Sequence, residues 1–312
     1  MHVLLGDGAG RFTASKVELA HGPQHVLTAD FNGDADEDLV SHAAGGATLN
    51  VLLGGSGGTF GAPIVTTITR TILGFVAGDV DGDGDDDLIL NTAGSPRQLL
   101  LLRSNGNGTF AAPVVAFSGI FYGDLQMGHV DANETLDLVF GGGPGSANSI
   151  RVNLGDGTGG FTEVASLATI PGAVRLGDFN GDGFLDVATT ADDTLHPVVM
   201  DAWLGDGTGQ FSPVITSAYQ GKLGGVGDFD GDGLADLTAH PGGFMTRLLH
   251  SDGAGGFTVG PDRFFTQADA TGVAGDVNSD GKLDLIQIDS QFRSIWILFG
   301  DGQGEFVDLG VP

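Results

Sequence analysis

The segment DVDGDGDDD, residues 79–87, carries aspartate at its first, third, fifth and ninth positions, and five similar nine-residue segments recur along the chain. They are DFNGDADED from residue 30, HVDANETLD from 129, DFNGDGFLD from 178, DFDGDGLAD from 228 and DVNSDGKLD from 276. We call the six segments acidic loops one to six, in chain order. Successive loops begin 49, 50, 49, 50 and 48 residues apart, and a repeat of roughly 40 to 50 residues is typical of one propeller blade.

A glycine-rich turn that closes on phenylalanine recurs in register with the acidic loops. Its seven copies, such as LGDGTGGF and LGDGTGQF, close at Phe12, Phe60, Phe110, Phe161, Phe211, Phe257 and Phe306. The segments between loop and turn, such as DLVSH and LNVLL, are short and rich in β-forming residues, which indicates strands. One strand on each side of the loop and one on each side of the turn give four antiparallel strands per repeat. Loop and turn then lie on the same face.

The predicted fold is therefore an all-β propeller of four-stranded antiparallel blades, forming a single domain over residues 1–312. Six complete blades begin near residues 26, 74, 123, 174, 223 and 272, whereas residues 1–25 supply only a half blade. We expect seven blades with an incomplete first one. The alternative is six blades with an extra N-terminal hairpin.

The acidic loops have the composition of calcium sites. Side chains at alternate positions of a tight loop converge on one point, a glycine or small residue at position six permits a sharp bend, and a carbonyl at position seven adds a ligand. All of these ligands are hard oxygen donors, which favours Ca²⁺ over metals that prefer softer ligands. Of the 40 acidic residues, 24 lie inside the six loops, where bound calcium would relieve their mutual repulsion.

About five calcium sites are predicted, in loops one, two, four, five and six. The predicted ligands are Asp30, Asn32, Asp34, Asp36 and Asp38; Asp79, Asp81, Asp83, Asp85 and Asp87; Asp178, Asn180, Asp182, Phe184 and Asp186; Asp228, Asp230, Asp232, Leu234 and Asp236; and Asp276, Asn278, Asp280, Lys282 and Asp284. The fourth residue of each set, at loop position seven, would contribute its backbone carbonyl.

Loop three departs from this pattern, with His129 at position one, Asn133 at five, Glu134 at six and Thr135 at seven. Since histidine is a poor calcium ligand, we expect an empty or weak site there. Two other interpretations of the loops are weaker. Solvated turns do not explain five copies in register, and EF-hand loops need a twelfth-position acidic ligand and flanking helices.

Composition excludes several classes of function. The formal charge of −28 argues against a nucleic-acid partner, which needs clustered Lys and Arg. No apolar run approaches the length of a membrane span, so no membrane insertion is expected. The absence of cysteine removes disulfides, thiolate catalysis and cysteine-ligated metal sites. The N-terminal stretch MHVLLGDGAG has no signal-peptide pattern, so we do not expect this stretch to encode export.

The motifs DGDGDDDL and DGDGLADL, followed by turns of the form LGDGxGxF, resemble the FG-GAP or VCBS-type repeat family over nearly the whole chain. Propellers of that family look like the head of integrin α subunits and like certain fungal propeller lectins. The resemblance implies calcium in the five matching loops, secretion or cell-surface display, and recognition of a carbohydrate or protein ligand. It does not identify the ligand.

Three functional hypotheses follow. The first is a non-enzymatic binding module, lectin-like or adhesive, that uses the face opposite the loops. That face would hold Arg70, Arg97, Tyr219, Lys222, His42 and His240. Tyr122, Trp203 and Trp296 are candidates for stacking on sugars, but the two tryptophans lie in predicted third strands, so we expect them to pack between blades. The second is the propeller of a polysaccharide-acting enzyme; no catalytic constellation outside the loops supports it, so we expect no enzyme. The third is a repeat region of a larger surface protein.

Overall fold

The computed structural model describes residues 1–19, 22–143, 149–169, 172–190, 200–217, 221–242, 245–260, 263–264, 272–289 and 294–307. No residue in these ranges lies in a helix, so the described chain is all-β. It also contains no helix long and apolar enough to cross a membrane.

The N-terminal strands form a two-stranded sheet, and blade one follows it. The two N-terminal strands are β1 (His2–Gly6) and β2 (Phe12–Lys16). Blade one consists of β3 (Pro23–Ala29), β4 (Asp38–Ala43), β5 (Thr48–Leu52) and, after the small pair β6 (Gly54–Gly55) and β7 (Thr59–Phe60), β8 (Ile64–Thr67).

Blades two and three share one long strand. Blade two consists of β9 (Ile72–Gly78), β10 (Asp87–Thr92), β11 (Arg97–Leu102) and the first part of β12 (Val114–Gly128). Blade three consists of the second part of β12, β13 (Asp137–Gly143), β14 (Ile150–Gly155) and β15 (Phe161–Leu167). Because β12 pairs with both β11 and β13, the two blades form one seven-stranded sheet.

The remaining blades repeat the pattern. Blade four consists of β16 (Ala173–Gly177), β17 (Asp186–Thr190), β18 (Met200–Gly205) and β19 (Phe211–Ser217). Blade five consists of β20 (Lys222–Gly227), β21 (Asp236–Gly242), β22 (Met245–Ser251) and β23 (Phe257–Val259), with β24 (Arg263–Phe264) also pairing with β22. Blade six consists of β25 (Val273–Gly275), β26 (Asp284–Asp289), β27 (Ser294–Gly300) and β28 (Phe306–Val307).

The arrangement is that of a six-bladed β-propeller with an additional N-terminal hairpin, as the alternative prediction has it. The favoured count of seven blades differs from the structure, because residues 1–19 form only the β1–β2 pair and not a four-stranded sheet. Every neighbouring pair of strands within a blade is antiparallel, as the loop and turn spacing predicts.

The chain divides into two compact units. The first consists of Met1–Leu5, Phe12–His129 and Asn133–Ser166, and includes blades one to three. The second consists of Gly6–Arg11, Val130–Ala132 and Leu167–Pro312, and includes blades four to six.

Phenylalanine pairs explain why loop and turn recur in register. Phe31, the second residue of loop one, meets Phe110 of the next blade's turn edge to face, with ring centroids 5.5 Å apart. Phe179 of loop four meets Phe257 at 5.1 Å, and Phe229 of loop five meets Phe306 at 5.7 Å. These three turns thus close an aromatic contact with the acidic loop of the preceding blade.

The strands that follow the loops form the core. Burial is nearly continuous along β4, β10 and β17, since both faces of an inner strand are covered. Leu88 and Leu90 of β10 pack in one cluster with Leu49 of blade one, while Ile89 on the opposite face packs with Leu138 of blade three.

Candidate metal centres

The aspartate at position one organises each predicted metal loop. In loop two, Asp79 accepts backbone N–H groups from Gly82 at 2.7 Å and Gly84 at 3.0 Å. Asp178 accepts the corresponding bonds from Gly181 at 2.7 Å and Gly183 at 2.9 Å. These bonds bend the chain around the first carboxylate and bring the following side chains onto it.

The predicted sharp bend is visible in the backbone. Positions four and six have positive φ in all five predicted metal loops. Among the described residues, the only residues other than glycine with positive φ are Ala35 (66°) and Ser279 (60°), and both lie inside these loops. Left-handed backbone costs free energy outside glycine, so the loop conformation is imposed on these two residues by its surroundings.

Positions three and five converge. Asn32 donates from Nδ2 to Asp34 at 2.9 Å, Asn180 to Asp182 at 2.9 Å, and Asn278 to Asp280 at 3.2 Å. In loop two, Asp79, Asp81 and Asp87 each offer one carboxylate oxygen, and these three atoms lie within 4.8 Å of one another. The same holds within loop five for Asp228, Asp230 and Asp232.

The position-seven residue is also drawn into each loop. Its N–H donates to the position-five aspartate at 2.8 to 3.0 Å in every predicted metal loop; the donors are Asp36, Asp85, Phe184, Leu234 and Lys282.

The aspartate at position nine is buried and links the loop to the sheet. Asp186 is 0% exposed; its Oδ2 accepts the N–H of Phe179 at 2.8 Å, and its Oδ1 accepts the N–H of Gly205 at 2.8 Å. The same two bonds occur at Asp38, Asp87, Asp236 and Asp284. Each of these carboxylates therefore joins its own loop to the end of the third strand of the same blade.

Burial perturbs these carboxylates. Loss of solvation raises the pKa of Asp87, Asp186 and Asp236 to about 6, and neighbouring carboxylates in the same loops add to the rise against the backbone hydrogen bonds. The pKa values of Asp38 and Asp284 are raised for the same reasons. At position one of loop six the direction reverses, since the N–H of Gly281 holds the pKa of Asp276 below its ordinary value.

The donor set fits calcium. Three or four carboxylates converge in each of the five loops, and each carboxylate has about four lone-pair sites, so the hydrogen bonds described above leave oxygen lone pairs for an ion. Loss of solvation is the main cause of the raised pKa of the buried aspartates, and repulsion from neighbouring carboxylates of the same loop adds to it. A hard divalent cation would balance this negative charge.

Loop three lacks these features. His129 places Nδ1 2.9 Å from the carbonyl oxygen of Thr135, the position-seven atom that is the predicted ligand in other loops. Neither Ala132 nor Glu134 adopts the positive φ found at positions four and six elsewhere. Two features survive: the N–H of Thr135 donates to the position-five side chain, Asn133 Oδ1, at 2.7 Å, and Asp137 is 0% exposed and accepts the N–H of Gly155 at 2.9 Å.

Two basic residues in contact with the loops were not predicted. Arg103 places Nε 2.9 Å from Asp81 Oδ2, and His250 places Nδ1 2.9 Å from Asp230 Oδ2 and 3.7 Å from Asp236 Oδ2. The signal is present in the sequence, because both are the first residue of the glycine-rich turn, where the other blades have Leu53, Leu154, Leu204 and Phe299.

The residues predicted for the opposite face differ in how exposed they are. His42 is 0% exposed, and burial lowers the pKa of His240 to about 4. Arg70 is bound to the blade-two connection through the carbonyls of Ala93 and Pro96, whereas Lys222 is exposed. Tyr219 and the side chain of Tyr122 lie outside the described residues. Trp203 is 7% exposed, so it packs inside the fold, and Trp296 is partly buried.

Comparisons with known proteins agree with the repeat. A model of the FG-GAP-like repeat matches residues 30–90, 129–189 and 178–239, together more than half of the chain. A lectin from Agrocybe aegerita, solved for its specific recognition of non-reducing terminal N-acetylglucosamine, is similar with a TM-score of 0.70 at 18% identity, covering 97% of this chain and 86% of the lectin. A chain from the complex of BBS1N with ARL6DN is similar with a TM-score of 0.59 at 13% identity. The match covers 98% of this chain and 85% of that one. Curated protein sequences give no significant match.

Proposed function

The chain belongs to the family of FG-GAP-like repeat proteins, and from that premise we propose that it is a non-catalytic, calcium-stabilised module that binds carbohydrate. The observation that carries the proposal is the double role of the position-nine aspartates. Each is buried and accepts one N–H from its own loop and one from the end of the third strand of its blade. Because these carboxylates are almost fully buried, a substrate cannot reach them for proton transfer, and they serve the scaffold.

Calcium would be held by the carboxylates of loops one, two, four, five and six. When bound, it would balance the negative charge of the convergent carboxylates, and so favour the folded chain. The loops are also joined across blades: the N–H of Asp86 donates to the carbonyl of Asp30 at 2.7 Å, and the N–H of Ala235 to that of Asp178 at 2.8 Å. Calcium in one loop therefore supports its neighbour.

Carbohydrate is the proposed ligand class because the lectin of similar fold recognises a terminal sugar. The proposal includes secretion or surface display, which the resemblance to the FG-GAP or VCBS-type repeat family implies. Lys222 is an exposed candidate for ligand contact on the face away from the loops.

A glycan array tests the ligand class. The chain is applied in calcium and, separately, after exchange into EDTA, on an array that includes glycans ending in non-reducing N-acetylglucosamine. Binding of a defined group of glycans in calcium, with loss in EDTA, is the expected result. Silence on all glycans overturns the carbohydrate proposal and directs the search to a protein ligand. Turnover of an arrayed polysaccharide overturns the assignment as non-catalytic.

A further inference from the structure

The repeat allows the five predicted metal loops to be compared position by position. Loops one, four and six have asparagine at position three. The first residue of the turn in the same blade is apolar: Leu53, Leu204 and Phe299. Loops two and five have aspartate at position three, and the corresponding residue is basic: Arg103 and His250. The added carboxylate and the basic side chain therefore occur together.

Contact geometry joins the two members of each pair. Arg103 Nε lies 2.9 Å from Asp81 Oδ2, and the guanidinium also donates from Nη2 to the carbonyl of Thr158, in the turn of blade three, at 2.6 Å. The arginine is thereby fixed between its own loop and the next blade.

His250 occupies the same place in blade five. Its Nδ1 lies 2.9 Å from Asp230 Oδ2, and the turn of blade six covers the ring, since a Cβ added at Gly304 would lie 2.9 Å from Nε2. The residue that follows the basic one also differs between blades. It is Ser104 or Ser251 in blades two and five and glycine in the other four blades. Ser251 donates its hydroxyl to the carbonyl of Ala235 in its own loop.

We propose that Arg103 and His250 are the affinity-determining residues of loops two and five. Each pairs with the position-three aspartate of its loop. The pair holds the loop together when calcium is absent, and the basic side chain lowers the affinity of the loop for calcium. Arginine is permanently charged, so Arg103 offsets the position-three carboxylate of loop two, Asp81, and repels an incoming cation. The part of this inference that concerns calcium affinity rests on the proposed function; the part that concerns charge compensation does not.

An ordinary surface ion pair contributes little to stability, and Arg103 is 37% exposed while Asp81 is 18% exposed. The pair differs from an ordinary one because Asp79 and Asp87 of the same loop each offer a carboxylate oxygen within 4.8 Å of one from Asp81. Removing the arginine leaves these three carboxylates close together.

The first experiment is a double-mutant cycle in EDTA. Denaturant unfolding midpoints are measured for the wild type, R103L, D81N and D81N/R103L, leucine being the residue that blades one, three and four have at this place. R103L is expected to lower the midpoint, and the loss should be at least halved in the D81N background, where the extra charge is gone. Equal losses in both backgrounds overturn the proposal. The cycle with H250L and D230N repeats the test for loop five.

The second experiment is a calcium titration against a competing chelator. R103L should gain one site that binds calcium at least tenfold more tightly than any site of the wild type, and unchanged affinities overturn the affinity role. R151L is the matched control, because Arg151 pairs with Glu163 away from the loops, and it should leave calcium binding as in the wild type. A wild-type chain that binds no calcium overturns the proposed function and the affinity role, whereas the cycle in EDTA still decides whether Arg103 compensates Asp81.

Discussion

Asp186 accepts a hydrogen bond of 2.8 Å from the backbone N–H of Gly205, nineteen residues further along the chain and at the end of the third strand of the same blade. The other oxygen of the carboxylate closes loop four through the N–H of Phe179. A single buried side chain thus fixes the loop against the strand that leads into the turn. The arrangement recurs at every predicted metal loop, so these aspartates should matter for stability even without calcium.

Replacing Asp186 by alanine should destabilise the chain in EDTA. The change leaves the N–H groups of Phe179 and Gly205 without an acceptor in a buried place, and each buried unsatisfied group costs about 1–3 kcal/mol. Part of this loss is offset because a buried carboxylate with a raised pKa is removed. We expect a net loss of about 2–4 kcal/mol in the free energy of unfolding, measured by urea titration.

Asp206→Ala in the same blade is the control. Asp206 is exposed and accepts hydrogen bonds from the N–H and hydroxyl of Thr208, which water can replace. Its loss should cost less than about 1 kcal/mol. Equal effects of the two substitutions would mean that the buried bonds of Asp186 do not hold the loop.

Calcium should raise the thermal unfolding midpoint. A site occupied at about a hundredfold above its dissociation constant adds roughly 2.7 kcal/mol to stability, and five sites act on one chain. Scanning calorimetry with calcium and with EDTA, together with a count of bound ions by elemental analysis, measures both quantities. Five ions and a large loss on chelation are expected; an unchanged midpoint would reject calcium as a stabilising ligand.

Calcium affinity should rise with pH between about 5 and 7. The pKa of Asp87, Asp186 and Asp236 is raised from 3.8 to about 6 in the metal-free folded chain. Because the folded chain then binds more protons than the unfolded chain, these groups add stability below pH 3.8 that is lost as pH rises through 6. Calcium must displace those protons. Its stabilising effect should therefore be larger at pH 7.5 than at pH 5, and isothermal titration in two buffers of different ionisation enthalpy should detect proton release near pH 6. Equal affinity at both pH values would contradict the raised pKa.

The sequence predicts the blades and the metal loops because both depend on short segments that recur at fixed spacing. Position six of loop one shows how local this information is: Ala35 has positive φ where other loops have glycine, and the loop pattern predicts a bend there despite the residue type. The pairing of Phe31 with Phe110 was harder to foresee, since it joins two repeats and leaves no mark within either one.

Arg103 and His250 escaped prediction for a different reason. The repeat predicts loop and turn on the same face, but the turn pattern consists of what its seven copies share, and the two basic residues replace a first position that is otherwise apolar. The blade count depended on residues 1–25, where two strands are compatible with either total. The opposite face was the least predictable, because burial of His42 depends on packing between blades that no short segment encodes.

His240 should make stability depend on pH in the opposite sense. Burial lowers its pKa from 6.5 to about 4, while its Nδ1 lies 3.1 Å from the Thr246 hydroxyl. The neutral ring is therefore required in the folded chain, and its contribution is present above pH 6.5 and lost as pH falls towards 4. The total is at most about 3 kcal/mol. Urea unfolding of the wild type and H240Q in EDTA isolates this group, since the carboxylates contribute equally to both. The wild type should lose stability relative to H240Q between pH 6.5 and 4.5, and parallel curves would show that His240 is not buried as a neutral group.

Restoring loop three should add a calcium site. His129 lies where the other loops have aspartate, and its ring meets the Thr135 carbonyl that would otherwise be a ligand. Glu134 lies where a positive φ is needed, and glycine adopts that conformation without strain. The double substitution H129D/E134G combines both changes with the buried Asp137 already in place. Elemental analysis should then count one more ion than in the wild type. E134G alone supplies the bend but not the ligand, so it should leave the count unchanged. If H129D/E134G also leaves the count unchanged, while unfolding as cooperatively as the wild type, the first and sixth positions do not decide occupancy.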